Sequence, residues 1–126
     1  MNSADSTALV ARNQARAAND EANAANNEAM KDGGLIEQLS SAEVNREYAE
    51  KAYDRAVKRK NGSPKTRAKK LTDLMAAQKA EDELNNKYQA LIGINNRAED
   101  QIRYAEKATN MAIEAKEKFK KRWGGK

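Results

Sequence analysis

A seven-residue apolar repeat runs through the second half of the chain. Every seventh residue from Ala77 to Phe119 is apolar, and the members between these ends are Leu84, Leu91, Ala98, Ala105 and Ala112. A strict repeat of this length is typical of a helix whose apolar seam is buried against another helix in a left-handed supercoil. The pattern therefore predicts helices that pack along a shared seam.

The first predicted helix, residues 4–31, carries a stripe made of alanine alone. Its members are spaced by alternating fours and threes, and those assigned to seam packing are Ala8, Ala11, Ala15, Ala18, Ala22 and Ala25. Small residues let the backbone of a neighbouring helix approach closely. Burying one methyl group contributes on the order of 1 kcal/mol at best, so we expect this helix to depend on its partners.

Turn residues divide the rest of the chain. The glycines of Asp32-Gly33-Gly34 can end the first helix and predict a tight reversal. A second helix is predicted over residues 35–60, followed by the turn Asn61-Gly62-Ser63-Pro64. Ser63 suits an N-cap and Pro64 the first helical position, so a third helix is predicted from residue 64.

Gly93 leaves two architectures open. If it ends the third helix, the helices span residues 64–92 and 96–122, and Asn96 with Glu99 has the spacing of a capping box. The four helices are then similar in length, which suits an up-down-up-down bundle. The sequence 48–52, Tyr-Ala-Glu-Lys-Ala, also recurs at 104–108. Against a turn stands the apolar repeat, which keeps its phase through Gly93.

We predict an all-α antiparallel helical bundle or coiled coil with four helices of similar length. The alternative is two helices plus one long continuous helix. The length of 126 residues suits a single domain over residues 1–126. Residues 123–126 are expected to form a basic flexible tail.

Composition argues against an enzyme. The chain has no histidine and no cysteine, which excludes disulfides, thiolate zinc sites and His- or Cys-based nucleophiles. The densest acidic run, residues 81–83, fans out around a helix and cannot converge on one ion. Gly33-Gly34 lacks the Lys-Ser/Thr that completes a phosphate-binding loop. We therefore expect no catalytic, cofactor or metal site.

Basic residues form two clusters. The first is Lys58, Arg59, Lys60, Lys65, Arg67, Lys69 and Lys70, with no acid among them; the second is Lys116, Lys118, Lys120, Lys121, Arg122 and Lys126, around Phe119 and Trp123. In a four-helix bundle the clusters would meet at one end, whereas a continuous third helix would separate them. Their partner could be nucleic acid, an acidic protein surface or a membrane interface, or the residues could be solvated only.

The start of the chain, Met-Asn-Ser-Ala-Asp, lacks the features of a signal peptide, and no apolar run is long enough to span a membrane. We therefore expect a cytoplasmic protein, or one inside a virion assembled in the cytoplasm. In its alanine- and asparagine-rich helices, its lack of cysteine and histidine, and its basic C-terminal tail, the chain resembles small helical virion proteins of tailed bacteriophages, of the internal core, ejection and scaffolding types.

That resemblance implies a role in binding and packing. The leading expectation is a non-enzymatic structural or assembly protein that self-associates, or packs into a larger particle with other proteins, through its alanine seams. Its basic C-terminal end would be the docking site. The alternative is a nucleic-acid-binding module that uses the basic clusters at 58–70 and 116–126.

Overall fold

The computed structural model describes residues 3–124. It contains three α-helices: α1, Ser3–Met30; α2, Leu35–Lys58; and α3, Pro64–Phe119. A π-helical turn, Lys120–Gly124, follows α3. Among the described residues every regular element is helical, so the all-α class is confirmed.

The prediction of four helices of similar length is wrong. Helix α3 runs for 56 residues through both Gly93 and Asn96, so the alternative of two helices plus one long helix fits the structure. Gly93 is exposed, and a Cβ built on it would meet nothing within 4 Å. A glycine inside a helix costs about 1 kcal/mol relative to alanine. Packing of the flanking seam residues, half-buried Leu91 and buried Ala98, offsets that cost.

Glycine geometry reverses the chain between α1 and α2. Gly33 has a φ of 73°, in the left-handed region that other residues rarely adopt, and its N–H donates to Glu37 Oε2 at 2.8 Å. The next residue, Gly34, is buried against the end of α1. A Cβ on Gly34 would lie 2.5 Å from the Glu28 carbonyl oxygen, closer than real Cβ atoms come. This turn therefore requires glycine at both positions.

The end of α2 and the end of the chain differ from the predicted bounds. Helix α2 ends at Lys58, two residues before the predicted end, because Arg59 is extended with φ −71° and ψ 120°. Trp123 and Gly124, from the predicted tail, belong to the π-helical turn. Gly125 and Lys126 lie outside the described residues.

The chain divides into two compact units. The first comprises the described parts of Met1–Asn26 and Leu91–Lys126, and the second comprises Asn27–Ala90.

The core of the first unit is an alanine seam between α1 and α3. One buried cluster joins three alanines of α1 to three of α3, namely Ala8, Ala11, Ala15, Ala105, Ala108 and Ala112. The helices run antiparallel, because Asp5 pairs with Lys116 at 3.5 Å whereas Asn26 pairs with Asn95. Both pairs of residue numbers sum to 121, so one register holds along the whole seam.

The second unit has a thinner core. Its buried apolar residues are Ala29, Ala42, Ala56 and Leu74. An ionic contact also joins α2 to α3 there: Arg46 donates through Nε to Glu81 Oε2 and through Nη1 to Glu50 Oε1, the latter at 2.8 Å. Arg46, which interrupts the apolar pattern of α2, thus contributes to the packing of the two helices.

The residues assigned to seam packing from the sequence lie at two depths. Ala8, Ala11, Ala15, Ala22, Ala98, Ala105 and Ala112 are buried, and Ala18, Ala25, Leu84 and Leu91 are half-buried. The alanines that were expected to mediate self-association therefore pack the chain's own helices.

Candidate functional surfaces

Among residues 3–124, no group of three or more histidine, cysteine, aspartate or glutamate side chains is placed to hold a metal ion. None of the described helices combines the length and the apolar character needed to cross a membrane. The features that could carry a function are surfaces: two grooves beside the alanine seam and the two basic clusters.

The first groove lies on one side of the alanine seam, in the first unit. It is a cavity of about 430 Å³, lined from α1 by Ser3, Ala4 and Thr7 and from α3 by Tyr104, Lys107, Ala108 and Met111. Tyr104 is 53% exposed and Met111 58% exposed. We call this cavity the tyrosine groove.

A second groove lies along the same helix pair. It is a cavity of about 450 Å³, lined from α1 by Arg12 and Ala15 and from α3 by Ile102, Ala105, Glu106, Thr109 and Asn110. A seam of alanines holds two helices together but leaves the larger side chains beside it uncovered. Both grooves therefore leave side chains exposed beside the seam.

The first basic cluster surrounds the turn between α2 and α3, in the second unit. A cavity of about 330 Å³ lies on this turn, and four cations, Arg55, Arg59, Arg67 and Lys70, line it. Its other polar lining residues are Tyr48, Asn61, Ser63 and Thr66. We call it the hairpin cavity. Lys58, Lys60, Lys65 and Lys69 are exposed on the same turn.

The second basic cluster lies at the end of the first unit. Ala115, Lys118, Phe119, Lys121, Arg122 and Trp123 line an open cavity of about 690 Å³ there, and Lys120 is exposed beside it. Phe119 is 64% exposed and Trp123 75% exposed. Lys116 differs from the other cations of this cluster, because its Nζ lies 3.5 Å from Asp5 Oδ1. This ion pair contributes to the packing of α3 against α1. Lys126 lies outside the described residues.

A single basic end was predicted only for the case in which Gly93 forms a turn. That turn is absent from the described chain, because α3 continues through Gly93. The two basic clusters belong to different units, residues 58–70 to the second and the cluster that begins at Lys116 to the first.

Sequence reasoning missed Tyr48, Arg55 and Thr66 as members of the hairpin cavity. The signal was present in the spacing, because Tyr48, Ala52 and Arg55 lie at i, i+4 and i+7 on one face of α2, close to Arg59 just past its end. The predicted basic cluster began at Lys58 and so did not include the residues of this helix face that precede it.

Sequence reasoning also missed the partners of Arg46. Hydrogen bonds from its guanidinium to Glu50 and then to Glu81 raise the pKa of Arg46 above its ordinary value. The Glu81 side chain is 16% exposed and the Arg46 side chain 25% exposed. The sequence alone placed Glu81 only in the acidic run 81–83, whose members fan out around a helix.

Comparisons with protein-family models, with curated proteins and with solved structures found no match. The function of this chain therefore has to be inferred from its own packing, exposure and charge.

Proposed function

We propose that this chain is a non-enzymatic structural or assembly protein that associates with further copies of itself. The proposal is based on the distribution of its apolar side chains, of which the small ones are buried and many large ones are exposed. Within residues 3–124 the buried apolar residues are eleven alanines and Leu74. The large apolar or aromatic side chains that are exposed number fifteen: Leu9, Val10, Met30, Ile36, Val44, Tyr48, Val57, Leu71, Met75, Ile102, Tyr104, Met111, Ile113, Phe119 and Trp123.

The exposed area supports a protein that buries more surface in an assembly. The chain exposes 9805 Å². Since area scales with mass, two separate globular units of about 7 kDa each would together expose about 8,100 Å². The surplus of about 1,700 Å² exceeds the roughly 800 Å² that one partner buries in a standard interface. Burial of part of it against another copy would supply the apolar contacts that this chain lacks by itself.

We place the contact on the tyrosine groove of the first unit. The alanine seam is filled by the chain's own helices, so it has no free surface for a second copy. Tyr104 and Met111 flank the seam and are more than half exposed. A helix from a second copy in this groove would convert the two-helix seam into a bundle. The resemblance to phage virion proteins makes a phage particle the larger assembly that we propose.

Sedimentation at micromolar concentration tests the proposal. We expect a mass above the 14.0 kDa of one chain, and a mass that rises with concentration. The variant Tyr104→Gln/Met111→Gln should shift the distribution towards monomer. The control Val10→Gln/Ile113→Gln changes two exposed apolar side chains of the same unit that line neither groove, and it should leave the mass unchanged. A wild-type monomer that melts at high temperature would rule the proposal out.

A further inference from the structure

We infer that the hairpin cavity binds the phosphate backbone of a single-stranded nucleic acid. The observation behind this is a concentration of positive charge without acidic partners. Eight cations lie between Asp54 and Asp73 with no acid among them: Arg55, Lys58, Arg59, Lys60, Lys65, Arg67, Lys69 and Lys70. None of the ion pairs formed within residues 3–124 involves any of them.

The number of cations in one acid-free run distinguishes this cluster from the rest of the chain, because no other run without an acid holds as many as eight. Elsewhere Lys31, Arg46, Arg103 and Lys116 each pair with a carboxylate. Like charges so close together repel one another, which a chain tolerates at a cost in stability unless an anion is bound between them. The eight cations therefore suit a ligand of opposite charge.

The residues that line the hairpin cavity suit phosphate groups. Arg55 approaches the cavity from α2, Arg59 from the residue after that helix, and Arg67 and Lys70 from α3. Arginine presents a planar fork of donors that matches two phosphate oxygens at once. Ser63, Thr66 and Asn61 add neutral donors to the same cavity. Four cations around one cavity can neutralise several consecutive phosphates.

The number and spread of the charges favour a polymer over a free phosphate ion. Besides the four cations that line the cavity, Lys58, Lys60, Lys65 and Lys69 are exposed around the turn. One phosphate ion cannot occupy all of these positions, whereas a strand with a charge at every nucleotide can. The surface therefore has the electrostatic character of a nucleic-acid backbone site.

Two further observations favour single-stranded nucleic acid over a lipid surface. Tyr48 lines the cavity and is 74% exposed, so its ring is available for a base to stack on. Residues 58–70 contain no leucine, isoleucine, valine, methionine or aromatic residue that could insert among lipid chains. Residues 58–70 thus have the charge for a membrane surface but no apolar anchor, and the exposed apolar residues nearest to them are Val57 and Leu71, one on each side.

Fluorescence anisotropy with the full chain and a labelled oligothymidylate of about twelve nucleotides tests the inference. We expect affinity to fall steeply between about 50 and 200 mM salt, since each phosphate contact on a single strand contributes about −0.7 to the slope of log K against log salt. The variant Arg59→Gln/Arg67→Gln/Lys70→Gln should weaken binding at least tenfold and reduce the slope by about 2. Tyr48→Leu should weaken binding about tenfold with the slope unchanged.

The control variant is Lys51→Gln/Lys79→Gln/Lys87→Gln, which removes the same charge from exposed positions of the same unit. Circular dichroism should show equal helicity in all variants, because the substituted side chains form no ion pair in the described structure. An equal loss of affinity in the control variant would overturn the inference, because net charge alone would then explain binding.

Three other outcomes would also overturn it. The first is the absence of salt-dependent binding by the wild-type chain. The second is competition by polyglutamate as effective as competition by unlabelled oligothymidylate, which would assign the cavity to an acidic polypeptide. The third is binding to vesicles of phosphatidylglycerol and phosphatidylcholine without binding to the oligonucleotide, which would assign it to lipid headgroups.

Discussion

The side-chain amides of Asn26 and Asn95 bind each other across the seam between α1 and α3. Each Nδ2 donates to the Oδ1 of the other residue at 2.9 Å, and Asn95 Nδ2 also donates to the Leu91 carbonyl oxygen at 2.9 Å. Both side chains are half-buried. The side chains of an alanine seam are all small and alike, so a shift of one helix along the other changes the packing of the seam only slightly. The paired amides are satisfied in one register only, and we infer that they fix it.

We expect the two asparagines to contribute unequally to stability. Asn95→Ala leaves Asn26 without its partner and should lower the free energy of unfolding by about 1–2 kcal/mol. Asn26→Ala should cost less, because Asn95 keeps its hydrogen bond to Leu91. Urea denaturation of both variants measures the difference, with Asn19→Ala, at an exposed position of α1, as the control. Equal losses in the two variants would contradict this assignment.

The seam itself could be predicted from the sequence, but the asparagine pair could not. Alanine recurs every seven residues in both helices, at Ala8 and Ala15 and again at Ala105 and Ala112, so the pattern marks the faces that meet. It does not define their alignment, because one alanine fits opposite another at several registers. Asparagine occurs at five positions of α1, between Asn13 and Asn27. Which of them faces α3 depends on the alignment, and that is a property of the folded chain.

Two glycines should respond in opposite ways to substitution by alanine. Gly93→Ala should raise the free energy of unfolding by about 1 kcal/mol, because a Cβ there meets nothing and alanine is the better helix former. Gly34→Ala should lower it by about 2 kcal/mol, because the Cβ would press on backbone carbonyl oxygens at the end of α1. Thermal and urea unfolding measure both. Destabilisation by Gly93→Ala would contradict a continuous α3.

Gly93 also shows why the number of helices was misjudged. Four signals favoured a turn: the glycine, the capping-box spacing of Asn96 and Glu99, four segments of similar length, and the recurrence of the sequence 48–52 at 104–108. One longer-range signal opposed it, the apolar repeat that keeps its phase from Leu91 to Ala98. The long-range signal was the better guide, because burial of the seam on both sides of Gly93 outweighs a local cost of about 1 kcal/mol.

The ionic contacts of Arg46 should differ in importance. Glu81→Gln should lower the melting temperature more than Glu50→Gln, because Glu81 joins α3 to α2 and is only 16% exposed, whereas Glu50 lies one turn along the same helix and is 43% exposed. The pKa of Arg46 is raised in the folded chain, so its ion pairs contribute fully to the free energy of unfolding at pH values below the ordinary arginine pKa. That contribution is lost only as pH rises through the raised pKa. The measurement is thermal unfolding near neutral pH. A larger loss in Glu50→Gln would contradict the interhelical role of Glu81.

The close approach of α1 and α3 should make the seam intolerant of larger side chains. Ala11 is only 1% exposed and lies in the cluster with the alanines of α3, so Ala11→Leu must either separate the two helices or adopt a strained conformation. We expect it to lower the free energy of unfolding by about 1–3 kcal/mol. Ala17→Leu makes the same chemical change at an exposed position of α1 and should alter stability by less than about 0.5 kcal/mol. A stabilising effect of Ala11→Leu in urea denaturation would mean that the seam has room for a larger core, and that alanine is not needed there for close packing.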